Sequence, residues 1–585
     1  SCFIDFLANP IKNRHVIHAS QVKNFIIILT SKIPIVKTLI ENRYSGYLFE
    51  QNIKKLLEKT VDKSDNFTSG KSIKHTTEAL LITLENYFKV GVYFENNIEM
   101  ENFTKEELDS FILENMRTKL EYYVNRICEA HNLSMDYMYE IVNRKELWLS
   151  YYCSELLFFL KQGLLEVSLH NNKYILYSTP KLEVRLKSYW LSEILEENSK
   201  IADMNFYYEF SKKLENFKKI PKKLENFKKI PKKLENDLVD YTMDKVFSIQ
   251  TSYLDNNLKE DAKYILFKKL VLFISLMECF SLSELEQVHE KEFLDTELIE
   301  PEFIEYLKSI LKEQSLKKKT IFAYIYFNNG YFSKGTLGFK YGLRELAGVL
   351  LSKKQNELKG KDIKGTLGLL FETDYILNYI KGIEKYGYKI YGEFKPNSNA
   401  KIKGYDIDLV LHDKKLNIFY FIQVKFKFSA LPTYIHEQLN LFRDENFEKG
   451  FGKQLLILKE NFNDNSIRKK LRDKQLGDAT LENSHFILLH NLPFLNFYKQ
   501  NGVFFYEWNL FRNILQDCKL HWFKDSDYTQ EYIKLFPKLH KPDELVDAYY
   551  KNSSFAEQLR KKFDIYSRSF CSFNLDDREV ECKLI

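Results

Sequence analysis

Apolar residues recur with helical spacing over most of this chain, and the exceptions are concentrated between residues 388 and 489. Residues 1 to about 205, about 240 to 345, and the stretch after about 495, including Val503–Leu520 and Asp543–Asp564, all read as helical. Between them, Tyr388–Phe394, Gly404–Leu411, Ile418–Phe428, Gln454–Leu458 and His485–Leu489 read as strands, with a helix over Leu431–Phe442. The polar residues His412 to Lys415 are short enough to join the second and third runs as an antiparallel hairpin. Near the other end, Leu147–Leu160 reads as a helix, followed by a hairpin of Gly163–Ser168 and Lys173–Tyr177. Helix then hairpin is the order of a winged helix, although that helix offers almost no Arg or Lys to phosphates.

The strands at 404–428 carry polar side chains that need a reason to be there. Side chains alternate faces along a strand, so Asp406 and Asp408 share one face, and Gln423 and Lys425 share one on the next strand. One hairpin face then gathers Asp408, Gln423 and Lys425. Magnesium prefers oxygen ligands and can take the Asp408 carboxylate, the Gln423 amide oxygen and the Val424 carbonyl while keeping several waters. Lys425 would sit beside one of those waters and help polarise it. Asp406 lies one step nearer the strand entrance, where solvation is expected rather than metal binding. The competing reading is an ordinary α/β domain in which Asp408 caps a strand end and Lys425 extends to water.

Asp, a gap, then Gln-Val-Lys on a following strand resembles the PD-(D/E)xK nuclease superfamily, in its variant with Gln in place of the middle carboxylate. Gly368-Leu-Leu-Phe371-Glu372 is similar to the Gly-x-x-Phe-Glu helix of Mrr-type restriction endonucleases, where the Glu faces the metal site. Gln438-Leu-x-x-Phe442 is similar to the Gln-x-x-x-Tyr element of RecB-like nucleases, with Phe442 in place of Tyr. The resemblance covers about residues 360–495. It implies a restriction-endonuclease-like αβββαββ core with a mixed central sheet, and a magnesium-dependent endodeoxyribonuclease, Mn2+ substituting for Mg2+. The setting it implies is restriction or another form of genome defence. Glu372, Asp408, Gln423 and Lys425 would be its catalytic residues, with Glu372, Asp408, Gln423 and Val424 at the metal. Lys403, Lys427 and Gln438 would contact nucleic acid. DNA is favoured over RNA by the resemblance alone. A different class is a nucleic-acid-binding or protein-interaction module on a degenerate nuclease scaffold, which the missing second strong carboxylate on the hairpin favours.

At 585 residues the chain is too long for one core. The expected fold is a multidomain α+β protein. Its parts would be a mainly helical domain over 1–205 (winged-helix part about 134–180), a linker over 206–240, a helical domain over 241–345, the nuclease domain over 346–495, and a helical C-terminal lobe over 496–585. The helical lobes would choose the target or meet a protein partner. The linker consists of copies of Lys-Lys-Leu-Glu-Asn-Phe-Lys-Lys-Ile-Pro, whose prolines end any helix every ten residues. Lys212–Glu235 alone holds ten Lys and three Glu, or +7 of the formal net charge of +6, which leaves the rest at −1. Any nucleic-acid surface must therefore be local, as over 395–427, where seven Lys oppose three Asp. No apolar run is long enough to span a membrane. Seven scattered cysteines, none in Cys-x-x-Cys spacing, read as reduced residues of a cytoplasmic protein.

Overall fold

The structure is a computed structural model that describes residues 163–182, 188, 192, 203–216, 229–280, 287–317, 325–354, 362–428 and 452–517 apart from 329, 335–337, 451 and 494–495. It also describes 450, 519–523, 530–534, 544–545, 572–575 and 578–583. The expected helix at 147–160, Gln438 and the middle repeat copy lie outside these residues. The chain divides into two discontinuous units, one of 1–183, 280–342 and 560–585, the other of 184–279 and 343–559. The expected helical domain at 241–345 is thus split between them.

In the first unit, Leu165–His170 and Lys173–Ser178 form the expected hairpin. Its second strand, Lys173–Ser178, pairs in parallel with Arg578–Lys583, which pairs with Ser572–Leu575. The C-terminal lobe is therefore not wholly helical. Tyr331–Lys334, within the stretch that reads as helical, is the middle strand of a three-stranded sheet, and Lys334 is buried.

The second unit contains helices α1 (Lys229–Phe247), α2 (Ala262–Phe280), α3 (Leu343–Lys354), α4 (Ile363–Leu370) and α5 (Leu377–Lys381). Strands β1 (Tyr388–Phe394), β2 (Ile407–Asp413) and β3 (Ile418–Lys425) follow, then α6 (Lys453–Glu460) and α7 (Asn465–Asp473). The unit continues with β4 (Ser484–His490), β5 (Tyr498–Gln500), β6 (Val503–Glu507) and α8 (Trp508–Asp517). The sheet order is β5-β6-β4-β3-β2-β1. β1 to β3 form an antiparallel meander, whereas β3, β4 and β6 run parallel. The sheet is mixed; its parallel strands β3 and β4 are buried on both faces, as expected of parallel strands covered by helices, and so is the antiparallel β2 between β1 and β3. Phe462, at the end of α6, packs edge-on against Phe421 and Phe486 and closes one face.

Several expectations change here. Gln454–Leu458 is helix, not strand: Leu455, Leu456 and Leu458 are buried while Lys453 is exposed and Glu460 lies at the surface end. The short apolar run fitted both periods. Val503–Glu507, read as the start of a helix, is a core strand, so the sheet continues beyond residue 495. The hairpin turn is 414–417, two residues later than expected, because Asp413 accepts the N–H groups of Lys415 and Leu416 and Asn417 adopts φ +51°. The repeat is no free linker at its described ends. Helix covers 203–216 and α1 starts at Lys229, with Leu214 and Leu234 buried. Pro231 falls in the first turn of α1, where its missing N–H costs nothing.

Candidate active site

The last paired residues toward the open end of the β2–β3 hairpin are Leu409 and Ile422. One step beyond, Asp408 stands opposite Gln423 and its side chain takes over the ladder's role. Its Oδ2 accepts from the Val424 N–H at 2.7 Å and from Gln423 Nε2 at 2.6 Å. A strand residue turns its N–H and C=O toward the same neighbour, which leaves the Val424 carbonyl on the Asp408 side of β3.

Glu372 reaches the same carboxylate from another element. Past α4 the helix widens into π-type hydrogen bonding over Phe371–Ile376, which re-aims the side chains of that turn. Phe371 is buried and packs near Phe426, just after β3. Glu372 then shares a hydrogen bond with Asp408. Burial, and after it the neighbouring Glu372 carboxyl, push the Asp408 carboxyl up to about 8, against the pull of the Val424 N–H and Lys425.

Lys425 stands close enough for its charge to act on Asp408, yet its Nζ donates to Gln454 Oε1 at 3.2 Å. Gln454 was hidden by the strand reading of its segment. On the parallel neighbour β4, His490 is in register with Lys425. It is buried and neutral, its pKa lowered to about 3 by desolvation, with Nδ1 accepting from Leu492 N–H.

The exit of β3 is fixed two residues later. Asn491 Oδ1 accepts the Lys427 N–H at 2.7 Å, and its Nδ2 donates to the carbonyls of Lys427 and Phe247 at 3.1 and 3.2 Å. The fully buried Arg344, from α3, donates to the carbonyls of Lys427, Val246 and Asn491. These bonds join α1, α3, β3 and β4 behind the site. They also redefine Lys427, expected at a nucleic-acid surface: its backbone is locked, and burial and Arg344 lower the pKa of its half-buried amine. Lys403 is exposed, as a phosphate contact requires. Asp406 is half-buried and paired at 3.4 Å with Lys395, away from the acid pair.

No cluster of three or more His, Cys, Asp or Glu side chains occurs among the described residues. The available donor set is two carboxyls and an amide. Gln423 Oε1 is buried without a hydrogen-bond partner, an acceptor left open next to Asp408. An orphaned amide oxygen beside two neighbouring carboxyls suits a hard divalent cation, which would offset their mutual repulsion and satisfy the oxygen. Comparison with family models, curated proteins and solved structures returned no match.

Proposed function

We propose that this protein is a metal-dependent nuclease that hydrolyses DNA phosphodiester bonds, with magnesium held by Glu372, Asp408, Gln423 and the Val424 carbonyl. The reading is supported above all by one observation: the Glu372 and Asp408 carboxyls meet at the open end of a strand pair, beside the Lys425 ammonium. A bound divalent cation supplies Lewis acidity, acidifying a water and offsetting charge on the phosphate. The protein's own groups do the rest. Asp408 is fixed by the Val424 N–H and the Gln423 amide, so it need not reorganise on binding. Lys425, anchored by Gln454, orients the attacking water and stabilises charge on a phosphate oxygen during in-line displacement.

The test is cleavage of labelled duplex DNA with Mg2+ or Mn2+ by the wild type and by Asp408→Asn. Loss of cleavage with folding retained is expected, and cleavage by Asp408→Asn at the wild-type rate refutes the assignment. A binding module on the same scaffold is the second reading. It draws on Gln423, whose amide donates to Asp408 where an acid would repel it. That reading requires that no substrate be cut by the wild type with either metal. Restriction or genome defence is the setting proposed for the nuclease.

A further inference from the structure

The 395–404 connection between β1 and β2 lies against α7. Asn397 Oδ1 accepts from Lys470 Nζ at 2.6 Å, and the charge of Lys401 acts on Asp464, the N-cap of α7. Ile467 and Leu471 point inward, which sends Lys469, Arg472 and the following Lys474 to solvent. Lys401 and Lys403 are exposed as well. The solvent side of α7 and the connection beside it therefore carry Lys401, Lys403, Lys469, Lys470 and Lys474, with Arg472 on the flank beside Gly477, against Asp464 and Asp473. Asp464 is engaged by the N–H and hydroxyl of Ser466.

Crowding like charges is unfavourable in the free protein. Burial and the neighbouring Lys474 both lower the pKa of Lys470. The connection runs on into the strand that carries Asp408. Gly404, at φ +90°, lies so close to α6 that a Cβ would stand 3.0 Å from Ile457 Cδ1. The first turn of α6 carries Gln454, the partner of Lys425. Asp408 follows Gly404 by four residues along the chain.

The geometry points to α7 and the β1–β2 connection as the track for a nucleic-acid phosphate backbone, leading one strand of a duplex to Asp408. A helix face and an adjoining loop that both carry cations offer contacts to neighbouring phosphates, and such contacts position the duplex without reading its sequence. This inference rests on the nuclease reading for what happens at the end of the track, but binding to the track needs no metal.

The experiment measures binding of a fluorescent 20-base-pair duplex in EDTA across a range of salt concentrations. It compares the wild type, the triple variant Lys469→Ala/Arg472→Ala/Lys474→Ala, and the control Lys259→Ala/Lys291→Ala/Lys381→Ala, which removes the same charge from other exposed positions. The triple variant should bind about 10-fold or more weakly at moderate salt, with its log–log salt slope reduced by roughly 2–3, since each lost phosphate contact removes about 1. The control should change less than about 2-fold. Equal weakening in both variants, or none in the triple variant, overturns the track. So does displacement of the duplex by poly-glutamate at equal charge concentration, which would indicate an acidic protein partner. If the wild type binds through this surface but never cuts, the nuclease reading fails and the track stands. If it cuts and the triple variant binds normally, the reverse holds.

Discussion

Asp408 offers the sharpest test of the acid pair, because its proton is coupled to folding. Its carboxyl is raised by burial and Glu372 from the ordinary 3.8 to about 8. An acid whose pKa is higher in the folded than in the unfolded state keeps its proton longer when folded. Its favourable contribution is therefore complete below about pH 4 and is lost as pH rises through about 8. At about 1.36 kcal/mol per pH unit, the whole span corresponds to at most about 6 kcal/mol. Asp408→Asn removes this titration while keeping an acceptor for the Val424 N–H and a donor for Glu372. We expect the metal-free variant to be more stable than the wild type at pH 8–9, by about 2–3 kcal/mol after relaxation around the site. The gap should close only at about pH 4. Thermal unfolding in EDTA at half-unit pH steps measures it, at about 2–4 °C per kcal/mol or less for a unit of this size. Adding Mg2+ at about 100 times its Kd should raise the wild type by about 2.7 kcal/mol and Asp408→Asn by far less. Parallel pH profiles for the two proteins would refute the raised Asp408 carboxyl.

Lys425→Ala should leave duplex binding largely intact and lower single-turnover cleavage by at least about 10²-fold; loss of binding with the rate preserved would make Lys425 a phosphate contact only. Gln454→Leu removes the acceptor that holds the Lys425 amine, and should lower the cleavage rate about 10-fold at unchanged KM, with partial recovery in Gln454→Glu. An unchanged rate would show that the Lys425–Gln454 bond does not matter for the chemistry. Leu214→Ala should cost about 2–4 kcal/mol by chemical denaturation, because this residue of the first repeat copy is buried; a cost near zero would restore the linker reading.

The sequence by itself determined the local parts of the candidate site. Alternation along two apolar strands is enough to put Asp408, Gln423 and Lys425 on one face, and the observed register sets Asp408 opposite Gln423. The mixed α+β character was also legible, as was the lack of any long apolar helix among the described residues. These depend on spacing of two to four residues, and such spacing is written directly in the chain. Where the pattern was ambiguous, the sequence misled: Gln454–Leu458 is helix because a short apolar run fits both periods, and Val503–Glu507 is strand because burial on both faces erases alternation. Only tertiary structure could bring Glu372 to Asp408, since a π-type turn sets the direction of its side chain. It alone could pair Lys425 with Gln454, 29 residues away, or reveal Arg344 and Asn491 behind the site. The C-terminal strand beside the 165–178 hairpin belongs to the same class. Such contacts are decided by which packed arrangement satisfies buried polar groups, and that sum runs over distant residues that no local pattern records.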